Sequence, residues 1–115
     1  MRMKTIVCKV SGVTFDSRQE IIAKLTGDEP CRIQPEPDNK FDPNALAVLV
    51  ALPSGSIAHV GYVPKLLASQ VSPWLEGEAV TSKILEIVGG FETRDGDIAA
   101  LGLRIAIEVP DTIAP

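Results

Sequence analysis

Residues 36–50 read EPDNKFDPNALAVLV, a polar segment that passes directly into an apolar run. The run continues to residue 52 without polar alternation, which is typical of a strand covered on both faces in a small barrel or a packed sandwich. Asp42-Pro43-Asn44 favours a type I turn, because Asp bonds the backbone ahead and Pro fixes the next φ. Asn39, Phe41 and the Asp42 carboxylate either serve only this turn or also hold a ligand.

Strand patterns recur on both sides of this segment. Residues 4–10 are rich in β-branched side chains, the turn at 53–56 predicts a hairpin, and residues 101–109 alternate strictly between large apolar residues and small or charged ones. Further strands are predicted at 31–36, 57–63 and 79–88. The double glycine at 89–90 favours a bulge or a sharp turn.

Two short helices interrupt the strands. Ser17 followed by Glu20 has the form of a capping box, and Gly27 is placed to end the helix that follows. Pro64 suits the first turn of a second helix, and Ser72 is placed to cap a further short turn. The order β-α-β-β-β-α-β-β predicts a mainly β fold, a partly closed antiparallel barrel. One domain is expected over residues 4–109, with 110–115 as a tail.

Composition narrows the function classes. The 115 residues are 45% hydrophobic and carry a net charge of −4, which fits one globular domain and argues against a broad basic surface that tracks nucleic acid. No apolar run approaches the roughly 20 residues that cross a bilayer, and the N-terminus is too interrupted for a secretory signal. We therefore expect a cytoplasmic protein without membrane association.

The chemistry-bearing residues do not form an enzyme motif. Cys8 and Cys31 have no CxxC spacing and are expected to be free thiols, and the lone His59 has no partners for a metal site. The sequence shows no nucleophile triad and no phosphate-cradling loop, and the acidic stretch 92–97 favours an exposed hairpin turn. We predict no catalysis and no cofactor.

Three segments together resemble the HIRAN domain: VSGVTF at 10–15, EPDNKFDPNALAV at 36–48 and HVGYVPKLLA at 59–68. The likeness extends from about residue 4 to residue 109. It implies an OB-like barrel, which in large helicases that rescue stalled replication forks holds the 3′ end of single-stranded DNA. In length the chain is similar to the small stand-alone prokaryotic members of the family.

Carried over by position, the resemblance implies that Asp42 meets the terminal 3′-hydroxyl with help from Asn39, while Phe41 stacks on the terminal base. Further contacts with the DNA are implied for an aromatic ring, a residue facing the backbone and a phosphate-binding cation: Phe15, Tyr62 and Lys65. A carboxylate suits a hydroxyl, which is a donor, and it would repel a terminal phosphate. Aromatic rings stack on any base.

The sequence departs from this pattern and leaves other roles open. Thr14 stands where the fork-remodelling members have an Arg, and Phe41 stands where the family often has Tyr. From the residues alone, Phe41 is also compatible with a plug at the barrel end, Phe15 with a place in the core, and Lys65 with a solvated side chain. Arg18 and Lys40 are candidates for further charge near the site.

Two functions fit these observations. The first is a non-enzymatic DNA-binding module for single-stranded 3′ ends in DNA repair or replication-fork processing, with a separately encoded helicase, nuclease or other repair protein as a partner. The alternative is a protein-interaction or assembly module that keeps the fold without DNA binding, favoured by the net charge and by Thr14. Exposed rings and basic groups around Asp42 would favour DNA, whereas an acidic rim without rings would favour a protein.

Overall fold

The computed structural model describes residues 2–77 and 80–111 of the chain. Within those ranges it contains six strands, two α-helices and one 3₁₀-helix, in the order predicted from the sequence. The strands are β1 (Met3–Lys9), β2 (Cys31–Pro35), β3 (Leu46–Ala51), β4 (Ile57–Tyr62), β5 (Thr81–Val88) and β6 (Gly102–Pro110). The helices are α1 (Arg18–Ala23), α2 (Lys65–Val71) and the 3₁₀-helix Ser72–Gly77.

The strands form two antiparallel sheets of three strands each, ordered β1-β6-β5 and β2-β3-β4. Isolated bridges between Ser11 and Tyr62 and between Pro30 and Lys83 join the two sheets at separate places. The joints are too short to close the barrel completely. The mainly β, partly closed, OB-like architecture predicted from the sequence is therefore confirmed.

The central strand of each sheet has the most apolar sequence. In β6 the side chains of Leu103, Ile105, Ile107 and Val109 are all fully buried, as the strict alternation predicts. In β3 four of the six residues are buried, which confirms that this strand is covered on both faces. A central strand has neighbours on both edges, so it takes the sequence with the fewest solvent-compatible positions.

Gly61 allows the first joint between the sheets. The backbone N–H groups of Ser11 and Tyr62 each donate to the other residue's carbonyl, at 2.8 and 2.9 Å. Gly61 has a φ of 153°, and a Cβ there would overlap the carbonyl oxygen of Ser11 and lie 2.5 Å from Val10 Cγ1. Only a residue without a side chain lets the chain after β1 approach β4 so closely.

The start and the end of α1 differ from the prediction. Ser17 is the N-cap residue, but its φ is 63° and its side chain makes no capping hydrogen bond, so the predicted capping box is wrong. An N-cap hydroxyl reaches the helix N–H groups from an extended backbone, and the left-handed conformation turns it away. The helix ends at Ala23 rather than near Gly27. Hydrogen bonds that span three residues, from Lys24 N–H to Ile21 O and from Leu25 N–H to Ile22 O, end the helix in place of a glycine cap.

Gly27 instead serves a carboxylate. The buried Glu29 accepts hydrogen bonds from the backbone N–H groups of Thr26 and Gly27, at 2.7 and 2.8 Å, and from the Thr26 hydroxyl at 3.2 Å. Burial alone would raise the pKa of Glu29, but these bonds outweigh it and hold that pKa below its ordinary value of 4.5. The charged carboxylate is thus the form that organises the loop before β2.

Glu29→Gln is expected to lower the free energy of unfolding at neutral pH by about 1–3 kcal/mol, since the amide can accept from only one of the two N–H groups. A depressed folded-state pKa adds stability above the unfolded pKa, and that stability is lost as the pH falls through the folded pKa. The difference between the two proteins should therefore shrink on acidification. Urea unfolding at pH 7 and at acid pH measures it, and a constant difference would contradict the assignment.

The remaining predicted features lie as follows. The hairpin at 53–56 is confirmed, with Gly55 N–H donating to Leu52 O at 2.8 Å. Cys8 is buried and Cys31 half-buried, both are free, and burial raises the pKa of each thiol. Strand β6 continues through the buried Pro110, the first residue of the predicted tail. Residues 112–115 of that tail, and the first residue of the strand predicted at 79–88, lie outside the described residues.

Candidate nucleic-acid interface

A cleft of about 560 Å³ opens where three segments meet: the loop between β1 and α1, the turn before β3, and the junction of β4 with α2. All six residues singled out from the sequence line it, although they are spread over fifty positions of the chain. The lining consists of Ser11, Phe15, Asp16, Arg18, Asn39, Phe41, Asp42, Asn44, Ala45, Tyr62, Val63, Lys65 and Ala68.

The turn before β3 is built by two side chains that bond the backbone ahead of them. Asn39 Oδ1 accepts from the N–H groups of Phe41 and Asp42, at 2.9 and 3.0 Å. Asp42 Oδ1 accepts from Asn44 N–H at 2.9 Å, and Ala45 N–H donates to Asp42 O at 3.0 Å. The turn predicted for Asp42-Pro43-Asn44 is confirmed.

The same bonds orient the Asp42 carboxylate toward the cleft. Only Oδ1 is used by the turn, and the hydrogen bonds among the described residues leave Oδ2 free to accept from a ligand. The side chain is half-buried, so it is held in place and still reachable. A turn role and a ligand role are therefore compatible in one residue.

The two phenylalanines of the cleft are exposed. Phe41 is 99% exposed and Phe15 is 65% exposed, so the alternatives of a barrel plug and of a core residue are both wrong. The Asn39 turn directs residue 41 away from the barrel. At 99% exposure the Phe41 ring buries almost no apolar surface, which leaves both of its faces open to a planar ligand.

The loop that carries Phe15 is anchored by Gln19. Its amide N–H₂ donates to the carbonyls of Val13 and Leu101, at 2.9 and 2.7 Å, and its carbonyl accepts from Leu101 N–H at 2.7 Å. These bonds attach the loop and α1 to the start of β6. An exposed ring on an anchored loop is pre-positioned for contact, which lowers the entropy lost on binding.

Tyr62 and Asn39 share a partner that was not singled out from the sequence. The Tyr62 hydroxyl donates to Glu36 Oε1 at 2.8 Å, and Asn39 Nδ2 donates to the same oxygen at 3.0 Å. Burial works to raise the pKa of Glu36, but these bonds and the nearby His59 and Arg18 lower it overall. Burial and the bond to Glu36 raise the pKa of Tyr62. Glu36 thus holds both Tyr62 and Asn39 in place. Its position as the first residue of the segment EPDNKFDPNALAVLV was the sequence signal that could have identified it.

Arg18 and Lys40 were candidates for further charge near the site, and of the two only Arg18 lines the cleft. It is only 6% exposed, its Nη1 donates to Gly12 O at 2.7 Å, and its guanidinium lies 5.4 Å from the Tyr62 ring centroid. Its position at the first residue of α1 was a possible signal, because a cation there opposes the helix dipole.

The charges along the cleft are balanced. Two carboxylates, those of Asp16 and Asp42, face two cations, those of Arg18 and the exposed Lys65. The described ranges contain no cluster of three or more His, Cys, Asp or Glu residues that could hold a metal. No helix in the described part of the chain is long and apolar enough to cross a bilayer. The cleft therefore combines exposed rings, a fixed carboxylate and two separate cations.

Comparison with known proteins identifies the family. The family model of the HIRAN domain matches residues 3–110, which is almost the whole chain. No match was found among curated proteins or among solved structures. The matched region contains both sheets and every residue that lines the cleft. The chain therefore belongs to the HIRAN family of DNA-binding domains.

Proposed function

We propose that this protein binds the end of single-stranded DNA in the cleft and recognises a free 3′-hydroxyl there, without catalysing a reaction. The observation that carries the proposal is the Asp42 carboxylate, which the turn fixes by one oxygen while the other is free beside exposed aromatic rings. A terminal hydroxyl is a donor that an internal phosphodiester lacks, so a fixed acceptor distinguishes an end from an interior.

The other lining residues supply affinity without sequence preference. Phe41 and Phe15 offer ring faces on which bases stack, at about 1–3 kcal/mol per base. Lys65 is exposed at the rim, where it is available to a phosphate of the backbone. Because the whole chain is acidic, we propose recognition by these few contacts rather than by a basic surface.

Selectivity against a 3′-phosphate follows from the same carboxylate. A terminal phosphate is mostly doubly ionised at neutral pH, so it rarely offers a hydroxyl hydrogen, and it carries negative charge that Asp42 would repel at short range. In the cell we propose a role at DNA ends in repair or replication-fork processing, in the cytoplasm and beside a separately encoded helicase, nuclease or other repair protein. Such a partner would supply the chemistry that the domain lacks.

The test is fluorescence anisotropy with short single-stranded oligonucleotides labelled at the 5′ end and terminated by a 3′-hydroxyl or a 3′-phosphate. We expect the hydroxyl end to bind about tenfold more tightly at low ionic strength, equivalent to about 1.4 kcal/mol. Equal affinity for both ends would reject end recognition. Binding to neither by a folded sample would reject the DNA function and favour the protein-interaction alternative.

A further inference from the structure

Arg18 is buried more completely than its ion pair explains. Arginine is almost never fully buried unless it is paired, because removing a guanidinium from water is costly. Here the paired carboxylate is that of Asp16, whose Oδ2 lies 3.4 Å from Nη2, and whose side chain is 83% exposed. An ion pair at this distance with one solvated partner is weak. The Glu36 carboxylate is near enough to interact with Arg18 through space, but the two form no ion pair among the described residues. The shortest contact of Arg18 is the 2.7 Å bond from Nη1 to the Gly12 carbonyl, which orients the group without neutralising it.

The backbone between the two charges is strained. Asp16 and Ser17 have φ values of 53° and 63°, two consecutive non-glycine residues in the left-handed region. This conformation forgoes the Ser17 cap of α1 and folds the chain so that the Asp16 carboxylate returns to Arg18. Strain of this kind persists where the surrounding structure enforces it, and it is concentrated at sites that bind ligands.

We propose that Arg18 is the cation that binds a phosphate of the DNA on the cleft wall, and that the Asp16 carboxylate occupies this position until DNA displaces it. The inference rests on the proposed function and adds a residue to it. A guanidinium presents parallel N–H groups that match two phosphate oxygens, and the Gly12 carbonyl and the Tyr62 ring hold this one in a fixed orientation. Arg18 would thereby supply the charge-assisted contact that Thr14 does not provide.

If a DNA phosphate displaces Asp16 from Arg18, substitutions of these two residues should have opposite effects on the affinity for DNA. Asp16→Asn removes the competing charge, while Asn tolerates the left-handed backbone. It should tighten binding of a 3′-hydroxyl oligonucleotide by about two- to fivefold at low salt. Arg18→Met should weaken binding by roughly ten- to 100-fold. It should also reduce the slope of log affinity against log salt by about 0.7, the value for one phosphate of a single strand.

Two further variants make the test specific to the pair. Asp28→Asn makes the same change in net charge at an exposed position that does not line the cleft, so it controls for a general effect of charge. In the double variant Asp16→Asn/Arg18→Met, the gain from Asp16→Asn should disappear, because no guanidinium remains to be released. Arg18→Lys keeps the charge without the fork, so it should retain the salt slope and lose part of the affinity.

The outcomes separate this inference from the function on which it rests. If the wild type binds no oligonucleotide, both are wrong. If the wild type binds but Asp16→Asn tightens binding no more than Asp28→Asn, or keeps its gain in the double variant, only the exchange is rejected. Thermal unfolding shows whether Arg18→Met is folded; if it is not, the comparison of Asp16→Asn with Asp28→Asn decides.

Discussion

Phe41→Ala is expected to weaken the binding of single-stranded oligonucleotides by about five- to 150-fold, the range that corresponds to losing one stacked base at 1–3 kcal/mol. The melting temperature should not change, because the ring is 99% exposed and buries no core surface. Anisotropy titrations and thermal unfolding of the same samples measure the two quantities.

A control and a conservative variant sharpen this expectation. Phe91 is also an exposed ring, 62% accessible, and it does not line the cleft, so Phe91→Ala should leave the affinity unchanged. Phe41→Tyr restores the residue that the family often has, and it should bind at least as tightly as the wild type. If Phe41→Ala and Phe91→Ala behave alike, base stacking on Phe41 is not part of recognition.

The sheets were predictable because their information is local and repeated. The alternation in β6 and the unbroken apolar run of β3 each indicate how many faces of the strand are covered, and the observed burial of both strands follows these patterns. The hairpin at 53–56 needed only its turn residues. Such periodicity does not indicate which strands pair with each other. The joint at Gly61 depends on the approach of the segment around Ser11, fifty residues earlier in the chain.

The start of α1 was predicted incorrectly because contacts of Arg18 with the preceding loop compete with the capping preference. Ser17 and Glu20 have the spacing of a capping box, and in isolation they favour that geometry. In the folded chain Arg18 donates to the Gly12 carbonyl and to the Asp16 carboxylate, and Asp16 and Ser17 are left-handed, without a side-chain cap. The capping-box rule considers only the spacing of Ser17 and Glu20, so it does not detect the competing contacts of Arg18.

The candidate site was only partly accessible from the sequence. The resemblance named six residues, and the structure brings all of them to one cleft, yet their use by DNA stays a prediction. Whether Phe15 and Phe41 are exposed depends on the tertiary fold, and so does the buried position of Arg18. Glu36 illustrates the same limit, because its role lies in the partners Tyr62 and Asn39 rather than in its own position.

Asp42→Asn is expected to abolish the preference for a 3′-hydroxyl end over a 3′-phosphate end. The Asn carbonyl can still accept from Asn44 N–H, so the turn and the stability should be preserved. Loss of the charge weakens the bond from the terminal hydroxyl, since hydrogen bonds to ionised groups are roughly twice as strong as neutral ones. It also removes the repulsion of a terminal phosphate. The affinity for the hydroxyl end should fall by about threefold while that for the phosphate end rises by about threefold, which together cancel a preference of about tenfold.

The matched control is Asp38→Asn, which makes the same charge change at an exposed position of the same segment that does not line the cleft. It should raise the affinity for both ends slightly and equally, through general electrostatics alone. Asp42→Ala should lose the preference too, and in addition about 1 kcal/mol of stability with the turn bond. If Asp42→Asn keeps the wild-type preference, groups other than the Asp42 carboxylate discriminate the ends, and that carboxylate serves only the turn. If the preference disappears in Asp42→Asn but not in Asp38→Asn, the free oxygen of Asp42 reads the end of the strand.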